Sequence, residues 1–178
     1  MGGGTSDIAI LSLGDIVSSQ SIRMAGDKMN SDIASYIKNK HGLVIGEHTA
    51  EKIKMELGTA LRVDDPETMD VRGRDVATGM PKQITVNENE IEEALHDTLE
   101  QIVSAAVNVL ETIPPELASD IIDRGIMLTG GTSLLKGVDQ LFSARLKVPV
   151  VVSQDPLDNV AKGAGEMLER MQKTERKK

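Results

Sequence analysis

The chain has 178 residues, a net charge of −8, 27% charged and 39% hydrophobic side chains, and no cysteine. That composition fits one globular domain, or two small ones sharing a core, and excludes a disulfide framework, thiol catalysis and Cys-ligated zinc. One Tyr, one Phe and no Trp leave no stacking platform for single-stranded nucleic acid, the acidic balance argues against duplex binding, and no apolar run reaches the ~18 residues of a membrane span.

In chain order, an apolar run over 8–13, a turn at Gly14-Asp15 and a return run over 16–23 predict a β-hairpin. Met29, Ile33, Tyr36 and Ile37 recur at helical spacing over 27–41, with Asp27 as N-cap and Gly42 just past the end. A second helix over 49–57 turns Ala50, Ile53 and Leu57 inward, and short strands follow over 69–72 and 83–86. Asn87, with Glu90 three residues on, opens a long helix through a capping box. Its stripe of Ile91, Leu95, Ile102, Val103, Ala106, Leu110 and Ile113 ends at Pro114-Pro115. A helix over 116–122, a strand over 126–129, a helix over 133–146, a strand over 148–152 and a helix over 157–171 complete the pattern. The tail (Lys173, Arg176, Lys177, Lys178) reads as basic and frayed.

The closing β-α-β-α order predicts an α/β fold with a parallel sheet covered by helices, and 27–86 reads as an inserted, helix-rich subdomain. Ala161, Gly163, Ala164 and Gly165 predict close packing of the last helix on the sheet. Met24, Met29, Met55, Met69 and Met80 read as gap-filling core. His41, His48 and His96 show no metal-ligand spacing and read as surface or boundary residues. The opening Met1-Gly2-Gly3-Gly4 does not read as a secretion signal. A glycine run entering a strand needs a preceding strand to hang from, so the chain reads as cut inside a motif, with an exposed sheet edge left behind.

Three stretches carry candidate chemistry. Gly2-Gly3-Gly4-Thr5-Ser6-Asp7 offers backbone N–H groups that can approach phosphate oxygens, against the alternative of a frayed terminus. It is not a Walker loop, because no Gly-Lys-Ser/Thr follows and a strand comes next. Thr129-Gly130-Gly131-Thr132-Ser133-Leu134 ends a strand and opens a helix, a place that favours anions; the alternative is an ordinary turn capped by Thr132 or Ser133. Within Glu51-Lys52-Ile53-Lys54, Glu51 and Lys54 share a helix face where a carboxylate and an amine can bond a ribose, or simply form a solvated ion pair.

The glycine run with Thr5-Ser6-Asp7 resembles the second phosphate loop of the actin/Hsp70/sugar-kinase superfamily, and Thr129-Gly130-Gly131-Thr132 resembles its adenosine loop. More narrowly, five stretches resemble the bacterial actin-like MreB family, including its Mbl and MreBH paralogues. They are Met24-Ala25-Gly26-Asp27-Lys28; Ile45-Gly46-Glu47 with Thr49 to Lys54; Val71-Arg72-Gly73-Arg74-Asp75; Pro114 to Ala118 with Asp123-Arg124-Gly125-Ile126; and Asp155-Pro156-Leu157 with Asn159-Val160-Ala161. They occur in order over nearly the whole chain.

The resemblance implies half of an actin/Hsp70-like ATPase fold, a ribonuclease H-like sheet with helices plus a smaller inserted α+β subdomain. Residues 1–26 and 87–178 correspond to subdomain IIA and 27–86 to IIB. The implied cofactor is ATP with Mg2+. Gly3, Gly4 and Thr5 would hold the β/γ-phosphates; Glu51, Lys52, Ile53 and Lys54 would face ribose and adenine; Gly130, Gly131, Thr132 and Ser133 would line the opposite wall. No catalytic residue and no metal ligand is assigned in this half. The family's aspartate before the glycine run is missing, with Met1 at the residue between them, and the third glycine of its T-G-G-G is Thr132, which implies a narrower pocket or a cost in left-handed backbone freedom.

The implied function is that of a fragment of a rod-shape-determining, ATP-dependent filament protein that organises cell-wall synthesis. The fragment would be essentially inactive alone, because phosphoryl transfer depends on positioning by both halves of the cleft. Implied partners are further copies, head to tail, a RodZ-like membrane-anchored protein and the cell-wall synthesis machinery, with no nucleic acid. The implied location is the cytoplasm at the inner face of the membrane, with membrane contact indirect from this half. A fragment of a superfamily sugar or acetate kinase and a stand-alone interaction module with vestigial nucleotide loops remain the alternatives.

Overall fold

A computed structural model describes residues 1–175; Arg176, Lys177 and Lys178 of the expected frayed tail lie outside the described residues. Strands β1 (Ser6–Ser12) and β2 (Asp15–Ile22) form the expected hairpin, turning at Leu13-Gly14 rather than Gly14-Asp15. A bulge at Val17 interrupts the register between Ile10 and Leu11.

Helix α1 (Gly26–His41) buries Met29, Ile33 and Ile37 on one face, and Gly42 caps its C-terminus. Its N-cap is Ala25, not Asp27; the Asp27 amide is already bonded to the Gly3 carbonyl, which draws the helix start one residue earlier than the sequence suggests. Helix α2 (Glu47–Leu57) likewise begins two residues before its predicted start, with Ala50, Ile53 and Leu57 buried as expected. Between them β3 (Leu43–Val44) joins β4 (Thr68–Asp75) and β5 (Pro81–Asn87) in an antiparallel three-stranded sheet. A two-residue strand has no periodicity to detect, so β3 was invisible in the sequence.

The longest element is α3 (Glu88–Glu111). Asn87 accepts from the Glu90 amide while the Glu90 carboxylate accepts from the Asn87 amide, completing the predicted capping box. Ile91, Leu95, Leu99, Ile102, Val103 and Val109 are buried, whereas Leu110 and Ile113, at the end of the predicted stripe, are half-buried. Pro115 opens α4 (Pro115–Arg124), which buries none of its residues fully.

Parallel strands β6 (Ile126–Leu128) and β7 (Val150–Val152) are connected through α5 (Val138–Leu146). The helix predicted over 133–146 is broken in two. A short 3-10 turn (Gly131–Leu134) comes first, Leu135 is extended, and Gly137 at φ 71° restarts the chain as α5. The β6–β7 pair is not hydrogen-bonded to the β1–β2 hairpin, so this layer is two separate two-stranded sheets.

Helix α6 (Asn159–Glu175) corrects two expectations. Ala161, Gly163, Ala164 and Gly165 are exposed and a Cβ on either glycine would meet nothing, so the small residues do not bring this helix onto the sheet. Its apolar residues Val160, Met167, Leu168 and Met171 are exposed as well. Met55 and Met80 are exposed at 78% and 64%, not core, because Met55 lies on the exposed side of α2 and Met80 in the turn between β4 and β5; Met29 is fully buried, and Met24 and Met69 pack half-buried at the edge of the core. The three histidines are exposed or half-buried, as expected.

One apolar cluster runs from α1, α2, β4 and β5 through α3 to α5, β6 and β7. Polar ties reinforce the α1–α3 seam: Thr98 donates to Asp32 at 2.6 Å, Tyr36 to Glu93 at 2.6 Å, and His41 and Glu90 share a bond of 2.8 Å. Leu99→Ala, in the middle of α3, should cost about 2–5 kcal/mol of stability. Asn87→Ala should cost about 1 kcal/mol through the lost cap. Urea denaturation of the two variants and their combination tests this, and the two losses should add to within about 0.5 kcal/mol because the sites share no partner.

Candidate functional site

Three segments converge at one end of the molecule. The first is the glycine run, which turns sharply so that the Gly2 amide donates to the Thr5 carbonyl at 3.0 Å. Gly3, Gly4 and Thr5 are exposed at its tip, and the Thr5 hydroxyl donates to Asp7 at 3.0 Å. Hydrogen bonds from Ser21 and Thr5 hold the Asp7 carboxyl below its ordinary value.

The second segment is the start of α1 with the inner face of α2. The Gly26 amide donates to the Gly2 carbonyl at 3.0 Å and the Asp27 amide to the Gly3 carbonyl at 2.9 Å. The Asp27 carboxylate lies over the glycine run: a Cβ on Gly3 would stand 3.2 Å from Oδ1. Lys54 reaches in from α2 to donate to the Gly26 carbonyl at 3.0 Å. Burial lowers the Lys54 pKa from 10.5, with the Glu51 and Asp27 carboxylates opposing the shift. Glu51 is exposed, as is Lys52, which leans toward Glu56 at 3.7 Å. Ile53 has no exposure at all and sits in the core. Of the four predicted residues on this helix, Lys54 therefore comes closest to the glycine run, and Ile53 supports it from below.

The third segment is Gly130-Gly131-Thr132-Ser133. Gly130 has φ 89°, and a Cβ there would lie 2.2 Å from the Met1 carbonyl, so only glycine fits. Its amide donates to the Pro156 carbonyl at 2.8 Å, and Thr129 accepts from Asn159 at 3.1 Å, which anchors the turn to the loop before α6. Thr132 and Ser133 are buried, and their hydroxyls are used internally: Thr132 donates to the Gly2 carbonyl at 3.0 Å and Ser133 to the Gly130 carbonyl at 2.7 Å. Thr132 is not among the non-glycine residues with positive φ, so the cost in left-handed freedom expected for a threonine at the third glycine does not arise. Its hydroxyl instead ties the third segment to the first.

A fourth contact, missed in the sequence, fixes the spacing of the outer walls. The Ala60 amide donates to the Lys136 carbonyl at 2.8 Å, and Lys136 bridges Glu67 at 2.9 Å and Glu88 at 2.5 Å. Burial pushes the Glu88 carboxyl up, but the Lys136 ammonium and the Glu67 amide outweigh it and hold the group below its ordinary value. Asp27 was also misread, as a cap; its place in the motif Met24 to Lys28 was the available signal. The arrangement presents an exposed, glycine-rich backbone flanked by the partly buried Lys54 ammonium and the Asp27 carboxylate; the backbone and the ammonium suit phosphate oxygens, and the carboxylate opposes them.

The whole described chain matches one family. The model of the MreB/Mbl protein family covers residues 1–176. The chain belongs to the MreB/Mbl family. The cell shape-determining protein Mbl of Bacillus subtilis (strain 168) is 52% identical over 178 residues, covering 100% of this chain and 54% of the relative. The cell shape-determining protein MreB of Escherichia coli (strain K12) is 48% identical over 169 residues, covering 95% of this chain and 49% of the relative. The chain thus spans about half the length of the curated relatives it matches. MreB5 of Spiroplasma citri bound to AMPPNP superposes with TM-score 0.95 at 34% identity, over 99% of this chain and 53% of that one. A MamK double helical filament, 19% identical with TM-score 0.77 over 94% of this chain and 52% of that one, shares the fold. The chain is accordingly part of an actin-like ATPase fold, as the resemblance implied. The match to MreB/Mbl along the full described length favours this family over the sugar-kinase alternative.

Two outcomes test the geometry. Gly130→Ala should lose about 1–3 kcal/mol in urea denaturation, from positive φ and the collision with Met1. Gly131→Ala should be close to neutral, because its Cβ would meet only Leu157 Cδ2 at 3.4 Å. For Lys54, the folded state favours the neutral amine, so between its lowered pKa and 10.5 the unfolded chain binds more protons and stability rises with pH. Lys54→Met removes that dependence. The stability difference, variant minus parent, should be largest at neutral pH and shrink as pH approaches 10.5.

Proposed function

We propose that this chain provides one side of the ATP cleft, and part of the filament contacts, of an actin-like cell-shape protein. The observation that carries the reading is the convergence of three segments at the Gly2 carbonyl, which accepts from the Gly26 amide and the Thr132 hydroxyl, with Lys54 donating to the adjoining Gly26 carbonyl. In the proposed complex, Gly3, Gly4 and Thr5 would hold the β/γ-phosphates of ATP with Mg2+. Glu51, Lys52 and Lys54 would face the ribose and adenine from α2, while the buried Ile53 lies in the core beneath them. Gly130 and Gly131 approach the nucleotide through their backbone, while Thr132 and Ser133 hold that turn in shape. The chemistry the group supplies is phosphoanhydride cleavage, for which this chain positions phosphates and offers no base.

The division into 1–26 with 87–178 as one subdomain and 27–86 as the other is part of the proposal, supported by the β3–β4–β5 sheet, which lies within 27–86 but for its last residue, Asn87. Head-to-tail self-association, a RodZ-like membrane-anchored partner, the cell-wall synthesis machinery and a place at the inner face of the cytoplasmic membrane follow from family membership alone. Among the described residues no helix is long and apolar enough to cross a membrane; indirect membrane contact from this half is part of the same family-based proposal.

With one side of the cleft, binding should be weak and turnover absent. Titrating the chain with Mg-ATP while following amide resonances should shift Gly3, Gly4, Gly26, Gly130 and Gly131 at millimolar ligand. Lys54→Ala should reduce those shifts without moving the rest of the spectrum. No shift at these glycines, or ATP hydrolysis above the protein-free background, overturns the reading.

A further inference from the structure

The three segments of the site are closed by a ring of hydrogen bonds that returns to its starting residue. The Lys54 ammonium donates to the Gly26 carbonyl at 3.0 Å, and the Gly26 amide donates to the Gly2 carbonyl at 3.0 Å. That carbonyl also accepts from the Thr132 hydroxyl at 3.0 Å, and the Thr132 carbonyl accepts from the Leu135 amide at 3.3 Å. The next amide, that of Lys136, donates to the Gly58 carbonyl at 3.2 Å. The Gly58 amide closes the ring on the Lys54 carbonyl at 2.9 Å.

The front of this ring holds the glycine run, and its back is the pairing of Thr59 with Lys136, where the Ala60 amide adds a bond of 2.8 Å to the Lys136 carbonyl. The back is also where the walls come closest. A Cβ on Gly58 would stand 2.5 Å from Leu135 Cδ2, so the end of α2 meets the Gly131–Leu134 turn only because residue 58 has no side chain. Two of the ring's bonds, at 3.2 and 3.3 Å, are long for an amide donor. An isolated bridge of this kind has no neighbouring ladder to support it.

The Lys136 side chain supplies the support. Its ammonium lies 2.5 Å from Glu88, whose side chain is 5% exposed. The other Glu88 oxygen accepts from the Glu67 amide at 2.9 Å, so the whole carboxylate is engaged. A buried carboxylate without its cation keeps an uncompensated charge, which fixes Lys136 at the first residue of α3. The second arm, to Glu67, is exposed at both ends and adds little.

We infer that Lys136 is a positioning residue of the site: pinned by Glu88, it holds the back of the ring closed and so sets the spacing between Lys54 and the Gly130–Ser133 turn. Its effect on ligand binding rests on the reading of this site as a nucleotide cleft; its effect on Lys54 does not. Walls held at a preset spacing need no ordering when a ligand arrives.

The test uses the 178-residue chain, with the Lys54 ammonium titrated by NMR in the absence of nucleotide. Lys136→Met keeps the aliphatic stem and removes the cation. It should loosen the back of the ring, admit water to Lys54 and move its titration from the lowered position back toward 10.5. At one fixed Mg-ATP concentration, the amide shifts at Gly26, Gly130 and Gly131 should shrink at least about two-fold. Lys136→Arg, which keeps the charge, should restore both readouts, and Leu99→Ala, destabilised away from the ring, should move neither. Lys136→Met that lowers stability yet leaves the Lys54 titration at the parent position overturns the inference, as does an equal move in Leu99→Ala. Should Lys136→Met not fold, Lys136→Gln keeps a donor for Glu88 and should give a smaller move in the same direction, with no move overturning the inference. Absence of Mg-ATP shifts in the parent overturns the nucleotide reading alone, and the Lys54 titration still decides the role of Lys136.

Discussion

The burial of α3 is the constraint on which the other elements depend. At 24 residues it runs ~36 Å, and its buried stripe is shared in succession by different neighbours. Toward its start it is capped by Asn87 and tied to Glu67 and Lys136 through Glu88. Along its length it packs on α1, α2, β5, β1, β2 and α5. The hairpin and the β6–β7 pair have no hydrogen bonds to each other; the hairpin packs on this helix directly, and β7 packs on α5, which in turn packs on α3. A lesion in the stripe is therefore felt in every layer, whereas one in α4 or α6, which bury little, is felt locally.

What α3 positions, the Gly2 carbonyl joins. It accepts from the Gly26 amide on one side and the Thr132 hydroxyl on the other, each at 3.0 Å. A carbonyl has two lone pairs, and both are committed here to holding apart two walls of the site. The neighbouring Asp27 carboxylate and Lys54 ammonium place opposite charges beside the same turn. Bringing an anionic phosphate to Gly3 and Gly4 opposes the carboxylate and favours the ammonium. The burial that lowers the Lys54 pKa in the free protein is offset once an anion sits beside it.

The sequence made most of the elements legible because their signals are local. The 3.6-residue stripe of α3, the Asn87–Glu90 box, the hairpin and the Pro114-Pro115 break needed only near neighbours to read. The three loops of the site were likewise visible as short motifs, but their convergence was visible only through resemblance to a family. The misreadings have one physical origin, since each was decided by distant partners. Asp27 lost its cap to a bond with Gly3, and Lys136 acquired two carboxylates from elements far along the chain. The small residues of α6 predicted a packing surface, yet the described residues place nothing against them. Periodicity reports which face of a helix is apolar, and it carries no information about what covers that face.

On the proposed reading the glycine turn has two duties that pull in different directions. Binding anions requires an open backbone with little side-chain bulk, which Gly3 and Gly4 provide. Joining the walls requires a fixed backbone, and glycine alone cannot fix itself, because it has the most conformational freedom to lose. The structure meets both demands by moving the constraint off the glycines. Met1 and Gly2 are held by Thr129 and Thr132, and Gly26 and Asp27 hold the far side, so the exposed tip between them needs no rigidity of its own. The threonine at the third position of the Gly130 turn is then a structural gain: a glycine there would offer no hydroxyl to the Gly2 carbonyl, and the turn would meet the opposite wall through the Met1 bonds alone.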